Sequence, residues 1–210
     1  MFLLNERVKY INAHFNYMTI KVVNVRPDKY LQQGMRYCGG FTIKAILSAY
    51  GYDNGHHPKK FLPKLAQFMR FATPKNISQQ IEKYDLEAPI RRANTLSDHE
   101  KITILEEELR KNRPIILLIG NGYTPKGTYH EVQRHIISHW VSIWGYDNKE
   151  KVFFIYDSYV DPKYYDDVPI GNVKRTYNQI LRDWKGAVYT RHLSFTYIPV
   201  MPSRDKKYKV

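Results

Sequence analysis

The chain has only one cysteine, Cys38, and it lacks any long apolar segment. A lone cysteine excludes an intramolecular disulfide and any metal site built from several thiolates, and we expect no cofactor. The apolar runs fall far short of the about 18 residues that a membrane-spanning helix needs, so no membrane span is predicted. The N-terminus turns polar too early for a signal peptide. A free thiol then favours the cytoplasm, although exported cysteine proteases carry one as well.

Internal repeats, low-complexity tracts and Gly/Ser-rich linkers are also missing from the 210 residues. This predicts a single domain over 1–210, with a core over about 20–200 and a basic tail over 201–210. An apolar content of 43% is that of a globular protein. Nothing in the sequence indicates an oligomeric state.

The net charge is strongly positive, at +13. Such a charge attracts acidic peptides, anionic surfaces and nucleic acid. The basic residues are scattered, however, apart from a cluster at Arg204–Lys209, and we find no helix-turn-helix, zinc or RNA-binding signature. A solvated basic surface is therefore favoured over a nucleic-acid interface, and the charge suits an acidic substrate.

Helices are predicted early in the chain and strands late. A strand at Thr19–Val25 precedes helices that are predicted at Cys38–Tyr50, Pro63–Phe71, Asn76–Tyr84 and, after a capping box at Ser97, up to about Lys111. Composition then predicts strands at Ile115–Ile119, Ile136–Tyr146, Lys151–Asp157 and Ala187–Val200, with a short helix at Tyr177–Trp184. This order predicts an α+β fold, in which a helical half packs on a mainly antiparallel sheet.

Cys38 lies where a thiol becomes reactive. Gln32-Gln33-Gly34 has loop composition, so Cys38 begins its helix, and Gly39-Gly40 allow another part of the chain to approach closely. Free N–H groups at a helix start and a nearby imidazolium both lower a cysteine pKa from its usual value of about 8.5. Most lone cysteines are simply small buried hydrophobes. Its position is what makes Cys38 a candidate nucleophile.

The base must come from elsewhere in the chain, and His139 is the best candidate of eight histidines. It begins an apolar strand that continues as Trp140-Val141-Ser142-Ile143-Trp144. The other histidines lie in a turn, at an exposed helix start, upstream of this strand or without supporting context. A histidine at the start of an apolar strand is often only a core residue, so His139 needs a partner.

Asp157 ends the next predicted strand and supplies that partner. A turn centred on Asn148 forms a hairpin, in which the numbers of opposed residues sum to 296 and His139 faces Asp157. Any even sum keeps the two side chains on one face of the sheet, whereas an odd sum separates them. Asp157 can then accept from one imidazole nitrogen and leave the other for Cys38. Asp147 is a weaker candidate, because turn formation already accounts for it.

A donor to the oxyanion is the last component that acyl transfer needs. Gln32 lies six residues before Cys38, where a side-chain amide can act together with the cysteine N–H group. Gln33 is the neighbouring alternative, since it carries the same amide.

These segments resemble the papain-like cysteine peptidases, and among them the C39-like branch related to bacteriocin-leader processing. The resemblance is carried by Gln32-x5-Cys38-Gly39, Arg113–Leu117, His139–Asp147, Ile155-Tyr156-Asp157 and Tyr177–Trp184, in this order. It implies a papain-like fold in which Cys38 is the nucleophile, His139 the base, Asp157 the third member and Gln32 the oxyanion donor. Departures from the family pattern at Tyr37, Gly40 and Ser158 affect substrate choice more than chemistry.

The expected function is thiol-dependent acyl transfer, most simply hydrolysis of a peptide or protein by a papain-like cysteine peptidase. The Cys38 thiolate attacks a carbonyl to give a thioester, which water resolves. An amine in place of water would make the chain a transferase or ligase. The alternative class is an inactive papain-fold binding module, and the intact set of Gln32, Cys38, His139 and Asp157 argues against it.

Overall fold

The computed structural model describes residues 20–34, 36–52, 55–69, 71–161 and 168–203. Its helices are α1 (Cys38–Ala49), α2 (Lys64–Met69), α3 (Pro74–Ile81), α4 (Asp98–Arg110), α5 (Glu131–Ile136) and α6 (Tyr177–Asp183). Its strands are β1 (Ile20–Val22), β2 (Leu86–Glu87), β3 (Arg91–Arg92), β4 (Ile115–Gly120), β5 (Ser138–Asp147), β6 (Val152–Tyr156), β7 (Val173–Thr176), β8 (Thr196–Pro199) and β9 (Met201–Pro202). Short 3-10 helices lie at Pro58–Phe61, Glu82–Tyr84 and Val188–Leu193.

The main sheet runs in the order β3-β8-β4-β5-β6-β7, and β1 extends it by pairing with the far end of β5. In the described part of the chain each pair in this sheet is antiparallel. β5 is central because it pairs with β4, β6 and β1. The predicted α+β class with a mainly antiparallel sheet is confirmed.

Local capping explains why most helices begin and end near their predicted bounds. The Ser97 hydroxyl accepts from the Glu100 N–H at 3.3 Å, and the Glu100 carboxylate accepts from the Ser97 N–H at 2.8 Å. Gly51 follows α1 with a φ of 79°, a backbone conformation that glycine adopts without strain. Both the capping box before α4 and the glycine after α1 are therefore confirmed.

Three of the predicted strands are partly wrong. Among the described residues of Thr19–Val25, only Ile20–Val22 form a strand. Ile136 ends α5, so β5 begins only at Ser138. Of Ala187–Val200, only Thr196–Pro199 is a strand, because Val188–Leu193 forms a 3-10 helix whose first turn is closed by the Thr190 N–H on the Ala187 carbonyl at 3.0 Å. The cluster of the predicted basic tail, Arg204–Lys209, lies outside the described residues. None of the described helices is long and apolar enough to cross a membrane.

The start of α1 is pressed closely against its neighbours. A Cβ on Gly40 would collide with the Pro58 carbonyl, and a Cβ on Gly39 would lie 2.9 Å from Ile77 Cδ1. Farther along the helix, the Thr42 hydroxyl donates to the Trp140 carbonyl at 3.1 Å. The close approach predicted for Gly39-Gly40 is confirmed, and it sets the first turn of α1 beside the start of β5.

Candidate active site

Cys38 is the first residue of α1 and is partly exposed. Tyr37 precedes it in the left-handed region, with a φ of 69°, and its side chain does not cap the helix. A bulky residue in this conformation is strained, and such strain often marks functional sites. Hydrogen bonding from the backbone N–H groups of Trp140, on β5, and Gly39, in the first turn of α1, lowers the pKa of the Cys38 thiol. The helix start and the neighbouring strand thus both supply donors for a thiolate.

His139 is buried and connects Cys38 to Asp157. Its Nε2 lies 2.7 Å from Asp157 Oδ1. The ring also forms a hydrogen bond with the Cys38 thiol, for which Nδ1 remains. The Tyr159 ring meets the imidazole edge-on, with ring centroids 6.1 Å apart. The predicted residues Cys38, His139 and Asp157 therefore lie together as one hydrogen-bonded series.

The hairpin that joins His139 to Asp157 differs from the predicted one in its register. Asp147 pairs with Val152, so opposed residues near the turn sum to 299. The register shifts between Ile143 and Gly145, and beyond that point Ile143 pairs with Ile155, a sum of 298. The predicted sum of 296 is wrong, and His139 does not face Asp157 directly. A bulge at Trp144 restores the even sum that leaves both side chains on one face.

Asp157 directly follows β6 and is fully buried. Its Oδ1 accepts from the Tyr159 N–H at 3.0 Å as well as meeting His139, and its Oδ2 accepts from the Arg175 guanidinium. Its backbone is held by Asn172, whose side chain accepts from the Asp157 N–H at 2.8 Å and donates to its carbonyl at 2.9 Å. The main chain and the carboxylate of Asp157 are therefore both held in place.

Arg175 is the residue of this site that the sequence analysis missed. It lies on β7, which was not predicted, and its side chain is only 2% exposed. In the structure Val173-Lys174-Arg175-Thr176 alternates buried and exposed residues, which places Arg175 on the same face as Val173. The sequence gives no matching signal, because Lys174 and Arg175 are both charged. Arginine is rarely buried, so it was read as part of the scattered basic surface.

The charges in this series favour an ion pair between Cys38 and His139. Burial alone would lower the pKa of the imidazole, but the charge and hydrogen bond of Asp157, followed by Cys38, raise it to about 9. Burial would likewise raise the pKa of the Cys38 thiol, yet hydrogen bonding to His139 and its charge bring it below the usual value. The pKa of Asp157 is lowered despite burial, chiefly by the charges of His139 and Arg175. A thiolate beside an imidazolium is therefore favoured near neutral pH.

The two glutamines before Cys38 have different surroundings. Gln32 is exposed, whereas Gln33 is buried and packed against Ser158. The Gln33 N–H donates to the Ser158 carbonyl at 2.7 Å, and the Ser158 hydroxyl donates to the Gln33 Oε1 at 2.5 Å. The Gln33 side-chain amide oxygen is thus engaged by the residue that follows Asp157.

The chain matches a family model and has a known fold. The model of the Peptidase_C39 like family matches residues 22–184. A putative C39-like peptidase from Bacillus anthracis has a similar structure, with a TM-score of 0.52 and 14% identity over 86% of this chain and 97% of that one. The peptidase domain of Streptococcus ComA, a bi-functional ABC transporter in a quorum-sensing pathway, gives a TM-score of 0.50 and 16% identity over 83% and 98%. The predicted papain-like fold is confirmed.

A further solved structure is less similar in three dimensions. It is a double glycine motif protease from an AMS/PCAT transporter in complex with the leader peptide, with 17% identity and a TM-score of 0.46 over 88% of this chain and 99% of that one. No curated protein matches the sequence.

Proposed function

The chain belongs to the Peptidase_C39 like family, and on this premise we propose that it is a cysteine peptidase whose catalytic residues are Cys38, His139 and Asp157. The observation that carries the proposal is the hydrogen-bonded series from the thiol through the imidazole to the carboxylate. Its members come from three separate segments of the chain. An accidental alignment of a thiol, an imidazole and a buried carboxylate is improbable in a core that only needs to pack.

Each residue has a defined role in the proposed reaction. The Cys38 thiolate attacks the substrate carbonyl, and a bond forms between Sγ and carbon while the oxygen gains negative charge. When this tetrahedral intermediate collapses, the peptide C–N bond breaks and the His139 imidazolium protonates the leaving amine. Neutral His139 then takes a proton from a water molecule as the water attacks the thioester carbonyl. The C–S bond breaks, which releases the acid and restores the Cys38 thiolate beside the His139 imidazolium. Asp157 holds the imidazole through Nε2 and stabilises its charge.

Peptides or proteins are the proposed substrates, and the +13 charge of the chain favours acidic ones. The segment that follows β4 approaches the chain just after Asp157, since the Pro125 carbonyl accepts from the Asp161 N–H at 2.9 Å. We propose that this segment contacts a bound substrate. We further propose that residues 1–210 act as one domain.

The proposal predicts fast alkylation of Cys38 by iodoacetamide at pH 6, because a thiolate stabilised by imidazolium persists where an ordinary thiol is protonated. We expect His139→Ala to slow this alkylation by about tenfold or more at pH 6. Asp157 keeps Arg175 as a partner in that variant, so folding is retained. Rates would be measured by mass spectrometry of the intact protein over pH 5–9.

The matched control for this experiment is His135→Ala, which removes a partly exposed histidine that contacts Glu131 instead of the site. It should alkylate at the wild-type rate. If His139→Ala also alkylates at the wild-type rate at pH 6, His139 does not activate Cys38 and the proposed pair is refuted. That result would favour an inactive papain-fold module that binds peptides.

For the oxyanion donor we propose Gln32 together with the backbone N–H of Cys38. Gln32→Ala should reduce kcat about 10²–10³-fold, because a donor to the developing oxyanion is lost. Alkylation of Cys38 should be unchanged, since no oxyanion forms in that reaction. Cleavage of a peptide library by the purified protein gives the rates.

Gln33→Ala distinguishes the two glutamines. It removes the buried hydrogen bond to Ser158, so the main expected effect is a lower melting temperature. A loss of kcat by Gln33→Ala with unchanged stability, and none by Gln32→Ala, would assign the donor role to Gln33 instead.

A further inference from the structure

A buried arginine adjoins the carboxylate of the proposed triad. The Arg175 guanidinium donates to Asp157 Oδ2 through Nη2, and the two side chains are 2% and 0% exposed. Removing two charged groups from water is costly, and a buried pair of this kind contributes little net stability compared with apolar residues. Stability alone therefore does not account for an arginine at this position.

The guanidinium is held by more than its carboxylate partner. Its Cζ lies 3.9 Å from the centre of the Tyr123 ring, on the segment after β4. The backbone of Arg175 on β7 pairs with that of Phe153 on β6, and β6 is the neighbour of β5. Asp183 supplies a further negative charge nearby. The stacking of the guanidinium on the Tyr123 ring and the pairing of β7 with β6 together leave the Arg175 side chain little freedom to rotate.

The two oxygens of Asp157 have separate partners. Oδ1 meets the His139 Nε2 and the Tyr159 N–H, while Oδ2 meets Arg175. A carboxylate held at only one oxygen can rotate about its last side-chain bond, and Arg175 prevents that rotation. The orientation that presents Oδ1 to the imidazole therefore depends on Arg175.

We propose that Arg175 is a positioning residue for the proposed peptidase: it locks the Asp157 carboxylate towards His139, so that Oδ1 stays opposite Nε2 and stabilises the imidazolium. This inference rests on the proposed function. A carboxylate that turned away would no longer stabilise the imidazolium that His139 needs in order to protonate a leaving amine.

The groups that face His139 are few enough to make the effect measurable. Cys38 approaches from α1, Asp157 and Tyr159 from the segment after β6, and Arg175 acts through Asp157 from β7. Loss of the Arg175 side chain frees the carboxylate to rotate away from the imidazole. The imidazolium then loses part of its stabilisation, and its titration moves to lower pH.

The test follows the titration of His139 by NMR in protein labelled with ¹⁵N-histidine, in wild type and in Arg175→Met, with His139→Ala to assign the signal. The wild type should titrate near the raised pKa of about 9. Arg175→Met should lower this midpoint by about one pH unit, because a weakened contact with an opposite charge shifts a pKa by an amount of this order. Arg175→Lys keeps the charge and should return the midpoint towards the wild-type value. Arg175→Gln serves as a second neutral variant if Arg175→Met does not fold.

Arg182→Met is the matched control, because Arg182 also stacks on a tyrosine, with Cζ 3.8 Å from the Tyr129 ring centre, but it pairs with Asp183 instead of Asp157. It should leave the midpoint unchanged. The inference is overturned if the neutral Arg175 variants leave the midpoint in place, or if Arg182→Met moves it equally. Iodoacetamide alkylation of the same samples separates the two proposals: fast, His139-dependent alkylation with an unmoved midpoint refutes the role of Arg175 and leaves the peptidase proposal standing.

Discussion

Replacement of Cys38 by alanine is expected to abolish peptide cleavage, with a fall in kcat on the order of 10⁶. The sulfur forms the covalent bond of the proposed reaction, and no other cysteine is present to replace it. The expected readout is a set of new peptide termini when a peptide library meets the wild type, and none with Cys38→Ala. Mass spectrometry identifies these termini and gives the cleavage preference directly.

Cys38→Ser is the closest control, since it keeps a nucleophilic atom and the hydrogen bond to His139 but has a much higher pKa. It should bind substrate and cleave it very slowly. Cleavage by Cys38→Ala at the wild-type positions would contradict the proposal. Reaction in ¹⁸O-labelled water with an added primary amine separates two fates of the thioester: ¹⁸O in the new carboxylate indicates hydrolysis, and amide formation indicates transfer.

Trp140→Ala should lower the free energy of unfolding by about 3–5 kcal/mol. The Trp140 side chain is 1% exposed and packs where Gly39 of α1 meets β5, and its Nε1 donates to the Ala72 carbonyl at 2.9 Å. The substitution removes the ring, leaves a cavity and orphans that carbonyl. In a protein of this size the melting temperature should fall by roughly 10 °C or more. Calorimetry or thermal unfolding followed by circular dichroism measures it.

Trp184→Ala is the control that separates stability from the site. Trp184 is also fully buried and donates to a backbone carbonyl, that of Thr196, at 2.8 Å, but it lies after α6 and away from Cys38. Both variants should lose similar stability. Only Trp140→Ala should slow the alkylation of Cys38 in protein that is still folded, because the start of α1 loses its support. Equal alkylation in the two variants would show that Trp140 has no role in positioning the thiol.

Local sequence signals were enough to predict much of this molecule. The helix start at Cys38 and its two glycines depend on contacts between neighbours in the chain, and the capping box at Ser97 does as well. These features need no knowledge of distant contacts. The shared face of His139 and Asp157 was also inferred, but it arises only because the bulge at Trp144 offsets the odd sum at the turn.

Features that depend on tertiary packing could not be predicted. The register of the hairpin was missed because the bulge at Trp144 depends on how β5 packs, not on the residues of the turn. Arg175 was missed because a buried arginine is recognisable only once Asp157 and Tyr123 are known to surround it. The stretch 188–193 shows the same limit, since a segment rich in strand-forming residues became a 3-10 helix.

The bulge at Trp144 also constrains how this hairpin can change in evolution. The pairing register at the tip of the hairpin differs by one residue from the register at the end that carries His139 and Asp157. A single-residue deletion in the turn would therefore be tolerated only together with a compensating change at the bulge, whereas gain or loss of residues in pairs keeps the phase. Relatives that keep the chemistry should vary this turn in steps of two, or show paired changes at the turn and at the position of Trp144.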